Sequence, residues 1–220
     1  MTVTLLTSQS TPTATDADAL VIGMFQDTDG PVPVPDVDDI DLMAALTALG
    51  ATGKPEELTK IPTSGRLATP VVVAVGLGAD PGTAQDPAER LSYLERLRRA
   101  AGAATRELTS GRARRIAVAL PAGEPDEAEA VTLGALLGGY AFRRYRTTGA
   151  IPGDSEVIVH TAHDAAAGRA RILAEAMTLV RDLINTPPAD MVPADLAAVA
   201  EQTAGPSGLS VQVLDENELA

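Results

Sequence analysis

Apolar positions along this chain follow two rhythms. From about Asp164 to Asn185, Ile172, Leu173, Ala176, Met177, Val180, Leu183 and Ile184 return at three-to-four spacing, which predicts one face of a long α-helix. Elsewhere the apolar residues form short unbroken runs. Pro70 to Val75 is β-branched and bounded by Pro and Gly, the pattern of a buried strand. Ala19 to Phe25 reads the same way, and Val3 to Leu6 reads as an edge strand. Asp27 to Asp41 mixes aspartates with three prolines, a solvated loop leading to a helix near Asp41 to Leu49 that Gly50 closes.

Further elements follow in alternation. Asp86-Pro87-Ala88-Glu89 is a helix start, with an Asp cap, Pro in the first turn and Glu at the third position. The helix it opens carries Leu91, Leu94, Leu97, Ala101, Ala104 and Leu108 on one face. Arg115 to Leu120 is the next strand, Asp126 to Arg146 the next helix, and Glu156 to His160 a further strand. Gly134, Gly138 and Gly139 each weaken that helix by about 1 kcal/mol relative to Ala, so their presence predicts close approach of another backbone. Alternation of this kind implies an α/β fold with a largely parallel sheet and helices on both faces.

The most informative stretch is RDLINTPPADMVPADL, from Arg181 to Leu196. Pro187 and Pro188 cannot continue the preceding helix, because each lacks an amide proton and pushes its predecessor out of helical geometry. Pro193 stands in the first turn of the next helix, where proline is tolerated. The break predicts a joint between two structural units. Past it, Ala194 to Ala204 reads as a helix stopped by Gly205-Pro206, and Leu209 to Leu214 as a strand. Asp215 and Glu218 form another helix start, so the chain is expected to stop inside its second unit, in a helix too short to hold itself.

Composition narrows the functional classes. The 220 residues include 17 basic and 30 acidic side chains, a net charge of −13, which is the wrong sign for a nucleic-acid footprint. The arginines from Arg96 to Arg99 lie on the polar side of an amphipathic helix, solvated or at a subunit contact. With no cysteine there is neither a disulfide framework nor a thiolate nucleophile. The first positive side chain is Lys54, which leaves no basic leader pattern, and no apolar run approaches the roughly 18 to 20 residues that span a bilayer. These features predict a soluble, cytoplasmic protein. Only three Tyr and two Phe are present, so aliphatic and small residues must fill the core.

Most candidate chemistry dissolves on inspection. Gly76-Leu77-Gly78 follows a strand, but the third glycine of a dinucleotide fingerprint would fall at Pro81, and a flexible turn explains the pair better. Gly50 to Lys54 is too short for a phosphate loop. His160, His163 and Asp164 could offer two imidazoles and a carboxylate to a metal, but they sit where strand becomes helix, which favours a loop histidine and a cap. The aspartates of Asp27 to Asp41 lack the glycine position and closing Glu of a calcium loop. Ser207 belongs to a turn. At the joint, Arg181, Asp182, Asn185, Pro187 and Pro188 point to a structural role, with Arg181 and Asp182 exposed and Asn185 satisfying the last helix carbonyls.

Three of these stretches together resemble the leucyl aminopeptidase (cytosol aminopeptidase) family. RDLINTPPADMVPADLA resembles the segment entering the family's catalytic domain. LRRAAGAATREL, Leu97 to Leu108, and GALLGGYAFRRYRT, Gly134 to Thr147, resemble two upstream helices in the same order. Ala189 departs from the Asn usual after the paired prolines. The resemblance implies a three-layer α/β/α, macro-domain-like N-terminal domain over 1–163, an interdomain helix over 164–186, and an incomplete catalytic domain over 187–220. It implies a metallopeptidase that removes N-terminal residues from peptides with two divalent cations (Mn, Zn or Mg), assembles as a homo-hexamer, and needs its own catalytic domain as partner. The family's metal-binding motifs do not occur in this sequence, so no catalytic, cofactor-binding or metal residue carries over, and the 220 residues alone are expected to be inactive. The alternative is a stand-alone macro-like module for ADP-ribose or a related nucleotide, an analogy of fold only.

Overall fold

The computed structural model describes residues 3–35, 41–82, 86–111, 113–147, 154–214 and 217–218. The chain forms two compact units, Met1–Ala176 and Met177–Ala220.

The first unit is built on a mixed seven-stranded sheet. Its strands are β1 (Val3–Ser8), β2 (Ala19–Asp27), β3 (Gly30–Val34), β4 (Leu58–Pro62), β5 (Val71–Ala79), β6 (Arg115–Ala119) and β7 (Ser155–His160). The order is β1-β7-β6-β2-β5-β4, with β3 paired to the far end of β2. Strands β1, β7, β6, β2 and β5 run parallel, while β3 and β4 are antiparallel additions. Continuous apolar runs in β2 and β5 follow from this placement, because central parallel strands are buried on both faces.

Helices cover both faces. One face carries Val21, Val73, Val75, Leu77, Ile116, Val118, Val157 and Val159, which pack on α2 (Pro87–Ser110) and α3 (Pro125–Gly138) through Leu97, Ala101, Ala104, Val131 and Ala135. The other face carries Leu20, Ile22, Met24, Val72 and Ala74 against Leu42 and Leu46 of α1 (Leu42–Ala48). Full burial of each such leucine contributes about 1.5–3 kcal/mol. The three-layer α/β/α arrangement expected from the alternation is present, filled by small and branched side chains.

Gly134 and Gly138 have the cause the sequence suggested, whereas Gly139, just past the helix end, faces the Val3 side chain, 2.5 Å from where its Cβ would stand. A Cβ at Gly134 would stand 2.0 Å from the Arg98 carbonyl oxygen, and one at Gly138 would stand 2.3 Å from that of Gly102. Helices α2 and α3 therefore touch backbone to backbone, and any side chain there would push them apart. Helix α4 (Asp164–Asn185) begins in this unit and packs its small side chains on α3, with Ala166 beside Ala128, and Ala174 beside Leu136 and Leu137.

Several expectations need correction. The Asp27–Asp41 stretch is not all loop, since Gly30–Val34 is strand β3; it pairs with β2 alone, where Pro31 and Pro33 are tolerated without amide protons. Strand β4 gave no apolar run because only Ile61 among its residues is buried. Gly76-Leu77-Gly78 is no turn but the end of β5. Met24 pairs with Gly76 and Phe25 with Gly78, so Leu77 is the extra residue of a bulge. Gly76 is required because a Cβ would meet the Lys54 carbonyl oxygen at 1.7 Å, and Gly78 because its φ is +74°. Helix α3 ends at Gly138, not Arg146, and Phe142 and Tyr145 lie beyond it with ring centroids 5.8 Å apart. On α2, Leu91 is exposed and Tyr93 takes the buried position in that turn.

The second unit holds the end of α4, a short 3-10 turn (Pro188–Asp190), α5 (Pro193–Ala204) and a further turn at Gly205–Ser207. The strand expected at Leu209 to Leu214 is absent: these residues join no ladder among the described residues, and Leu209, Val211, Val213 and Leu214 are exposed. Asp215, the cap expected next, lies outside the described residues.

Candidate interdomain joint

The joint is assembled from local chemistry. Helix α4 runs to Asn185, as the apolar spacing predicts, and stops because Pro187 follows with extended backbone, φ −61° and ψ 152°. Thr186 closes the helix. Its amide donates to the carbonyls of Asp182 and Leu183, at 3.1 and 3.3 Å, and its hydroxyl donates to that of Asp182 at 2.7 Å. Thr186 is buried although both flanking residues are exposed. The amide of Asp190 then donates to the Pro187 carbonyl at 2.9 Å, which makes a compact turn. Asp195 accepts the Val192 amide at 2.9 Å, and Pro193 opens α5 at the position where its missing N–H costs nothing.

The five residues singled out in the sequence thus lie together on one helix end and the turn after it. Asp182, Asn185, Pro187 and Pro188 are exposed; Arg181 is half-buried, contrary to expectation. Sequence reasoning passed over Thr186. A hydroxyl residue just before a proline pair, able to bond back to a carbonyl four residues earlier, was the available signal.

The chemically decisive property of the joint is what α4 leaves bare. Its buried positions are Ala166, Ala167, Ala170 and Ala174. Of its large apolar residues, Ile172, Leu173, Met177, Val180 and Ile184 are exposed, with Ile184 at 77%, while Leu179 and Leu183 are half-buried. In α5, Leu196 is also exposed, and so is Val192 just before it. Scattered exposed leucines need no explanation, but an apolar row kept at helical spacing does.

The other candidates are committed to holding the fold. His160 Nδ1 is 3.1 Å from the Ser10 carbonyl oxygen, so Nδ1 carries the proton and donates, leaving Nε2 to accept from the Thr15 hydroxyl at 3.1 Å. Burial lowers the His160 pKa, against the opposing influence of the Ser10 bond. His163 Nε2 donates to the Gly123 carbonyl at 2.7 Å. Among the described residues no group of three His, Cys, Asp or Glu could hold a metal ion, so these side chains do not fit a metal pair. Glu57 works against burial yet stays below the usual carboxylate range, because it accepts from the Thr52 amide and hydroxyl and the Lys54 amide. That network fixes the Gly50–Lys54 stretch in place of any phosphate. Arg96 is not simply solvated: it donates to the carbonyls of Leu77 and Ala79 at 2.9 and 2.8 Å, across the bulge. Arg98 and Arg99 pair with Glu95 and Glu56. Ser207 donates to the Thr203 carbonyl at 2.9 Å.

Comparison with known proteins decides the family. Residues 10–149 match the model described as the cytosol aminopeptidase family, N-terminal domain. The chain belongs to the cytosol aminopeptidase family. It is 40% identical to a probable cytosol aminopeptidase of Streptomyces griseus over 99% of this chain and 46% of that protein. A counterpart from Streptomyces coelicolor is 38% identical over the whole chain and 46% of its own length. The chain thus spans about half the length of the curated relatives it matches.

Solved structures agree on the fold. A tomato leucine aminopeptidase superposes with TM-score 0.76 at 21% identity, covering 99% of this chain and 45% of that one. The bottromycin maturation enzyme BotP superposes with TM-score 0.70 at 29% identity, covering 92% and 40%. The cytosol aminopeptidase assignment disfavours the nucleotide-module alternative, and the Gly76–Gly78 segment that suggested a phosphate site is occupied by the chain's own Lys54 backbone. No described helix is long and apolar enough to cross a membrane.

Proposed function

We propose that this chain is the assembly lobe and opening catalytic-domain elements of a leucyl-aminopeptidase-like metallopeptidase, an enzyme that removes N-terminal residues from peptides. The lobe, macro-domain-like in its layering, occupies 1–163, the interdomain helix 164–186, and the beginning of the catalytic domain 187–220. The observation carrying this reading is the bare apolar row of α4, from Ile172 to Ile184, which continues into the proline-defined joint. A helix built only to cover its own domain would hide those residues and expose polar ones. At about 1.5 Å per residue, its 22 residues give a rod of roughly 33 Å, long enough to bridge two domains.

In this reading the chemistry resides outside the 220 residues. Two divalent cations (Mn, Zn or Mg) would polarise the scissile carbonyl and activate a water, held by side chains of the longer polypeptide. Manganese accompanies one related structure, that of BotP. The working enzyme is a cytoplasmic homo-hexamer acting on peptides. The test compares two purified proteins with leucine p-nitroanilide and manganese: the 220-residue chain and the polypeptide encoded by the uninterrupted reading frame. The longer protein hydrolyses the anilide and the 220-residue chain does not. Hydrolysis by the short chain, or none by a folded longer one, overturns the reading.

A further inference from the structure

The two edges of the sheet are built differently. Strand β4, at one end, carries Lys60 and Pro62, and β3, the short addition beside β2, carries Pro31 and Pro33. Lysine and proline blunt a strand edge against further pairing. Strand β1, at the other end, reads Val-Thr-Leu-Leu-Thr-Ser, uncharged, without proline and in unbroken register on β7. Its Thr4, Leu6 and Thr7 are exposed.

The main-chain groups that face outward can be identified. The Thr161 amide donates to the Ser8 carbonyl at 3.0 Å, so the backbone of Ser8 faces β7. Backbone groups of alternate residues face alternate sides of a strand. Thr4, Leu6 and Ser8 therefore turn theirs to β7, while Val3, Leu5 and Thr7 turn theirs away from the sheet. Among the described residues nothing bonds to that outer row.

We infer that β1 is the pairing edge for a second copy of this chain, joined antiparallel across a two-fold axis so that the two sheets become one. Two observations choose this occupant. The outer row is self-complementary. With the axis at Leu5, Leu5 faces its own copy and Val3 faces Thr7, each pair exchanging two N–H···O bonds, about six in all. This register also keeps Val3, Leu5 and Thr7 of both copies on one face of the joined sheet, the face on which Val3 and Leu5 already pack against α3. The second observation is charge. A net −13 opposes the approach of another copy over most of the surface, yet no Asp, Glu, Lys or Arg occurs before Asp16. Glu156, beside Thr4 on β7, is paired with Arg115. Such a contact is isologous and closes at two copies.

The inference stands apart from the peptidase reading, because it concerns the first unit alone: anilide hydrolysis reports on that reading and solution mass on this one. Sedimentation equilibrium of the 220-residue chain tests it, with amide exchange read by NMR. The mass rises with concentration from 22.6 kDa toward twice that value. Amides of Leu5 and Thr7 gain protection as the dimer forms, while those of Thr4, Leu6 and Ser8 are protected at every concentration. Thr7→Pro removes one outer donor from each copy and spares the bonds to β7, so it weakens the dimer about 10-fold or more. Thr7→Val leaves the dimer intact. Leu6→Lys, which sets an edge-blunting charge at an exposed position, weakens it too and serves in place of Thr7→Pro should that variant not fold. A chain still monomeric at about 1 mM, the weak end of specific association, overturns the inference. So does a dimer that Ile184→Glu dissolves and Thr7→Pro leaves unchanged, which would lie on α4. Protection of the Leu5 and Thr7 amides in a monomeric chain overturns it as well, since the edge would then be covered from within.

Discussion

Helices α2 and α4 are nearly equal in length, 24 and 22 residues, yet they use their apolar residues in opposite ways. Helix α2 buries Tyr93, Leu97 and Leu108 against the sheet, and apart from Leu91 its exposed side is polar, with Glu95, Arg99, Arg106 and Glu107 turned to solvent. Helix α4 buries alanines and shows solvent isoleucine, leucine, methionine and valine. The first pattern belongs to a helix completed by its own domain. In the proposed reading, the second belongs to a helix that packs on two things at once, a small-residue face for its own unit and a large-residue face for a further domain. Periodicity alone finds both helices but cannot say which face meets which partner.

The contrast can be broken at its strongest point by the α2–α3 contact. Gly134→Ala puts a methyl 2.0 Å from the Arg98 carbonyl, a collision with backbone that cannot yield cheaply. We expect a loss of about 3 kcal/mol or more, read as a lower urea midpoint, with the first unit failing to fold as one outcome consistent with the contact. Leu97→Ala, at a fully buried position of α2, should cost about 2–5 kcal/mol. Val180→Ala in α4 should stay within about 0.5 kcal/mol in the 220-residue chain. Equal losses for Leu97 and Val180 would erase the distinction between the helices.

Two smaller effects sharpen the picture. Arg90 bridges α2 to α3 by donating from Nε to Asp126 at 2.9 Å and from Nη1 to Glu127 at 2.9 Å. These pairs are partly exposed, so Arg90→Ala should cost about 1 kcal/mol, less in high salt. His160 supplies a pH effect. Its folded pKa lies below the ordinary 6.5, so the fold prefers the neutral ring. That contribution is present above the unfolded pKa and is lost as pH falls through the lower folded value. Stability should therefore drop on acidification below about pH 6.5, and His160→Gln should flatten this part of the profile in urea titrations across that range.

How much of this was legible in the sequence depended on the signal each element carries. Long amphipathic helices and doubly buried strands were readable because periodicity and β-branched runs report burial directly. The limits of α4 matched because two prolines and an exposed polar end leave no alternative. Strands β3 and β4 escaped because edge strands bury one or two side chains each, and β3 looked like a proline-rich loop. The Gly76–Gly78 bulge escaped because its cause, the Lys54 backbone, is distant in sequence and invisible to local pattern. Helix α3 was overextended by apolar and aromatic residues past Gly139 that continue its spacing without its hydrogen bonds. At the joint, the proline break was plain, while the bonds of Thr186 required knowing that its hydroxyl turns back onto the helix.

Ile184→Glu tests most directly whether the bare face of α4 is an interface. Thermal unfolding would be followed for this variant in both the 220-residue chain and the full-reading-frame protein. In the short chain, where Ile184 is 77% exposed, the melting temperature should stay within about 1 °C of the parent, as expected for an exposed surface site. In the longer protein the carboxylate would be buried without a partner, at a cost of about 2 kcal/mol or more, with a correspondingly lower melting temperature. Equal melting temperatures for variant and parent in the longer protein would contradict the account.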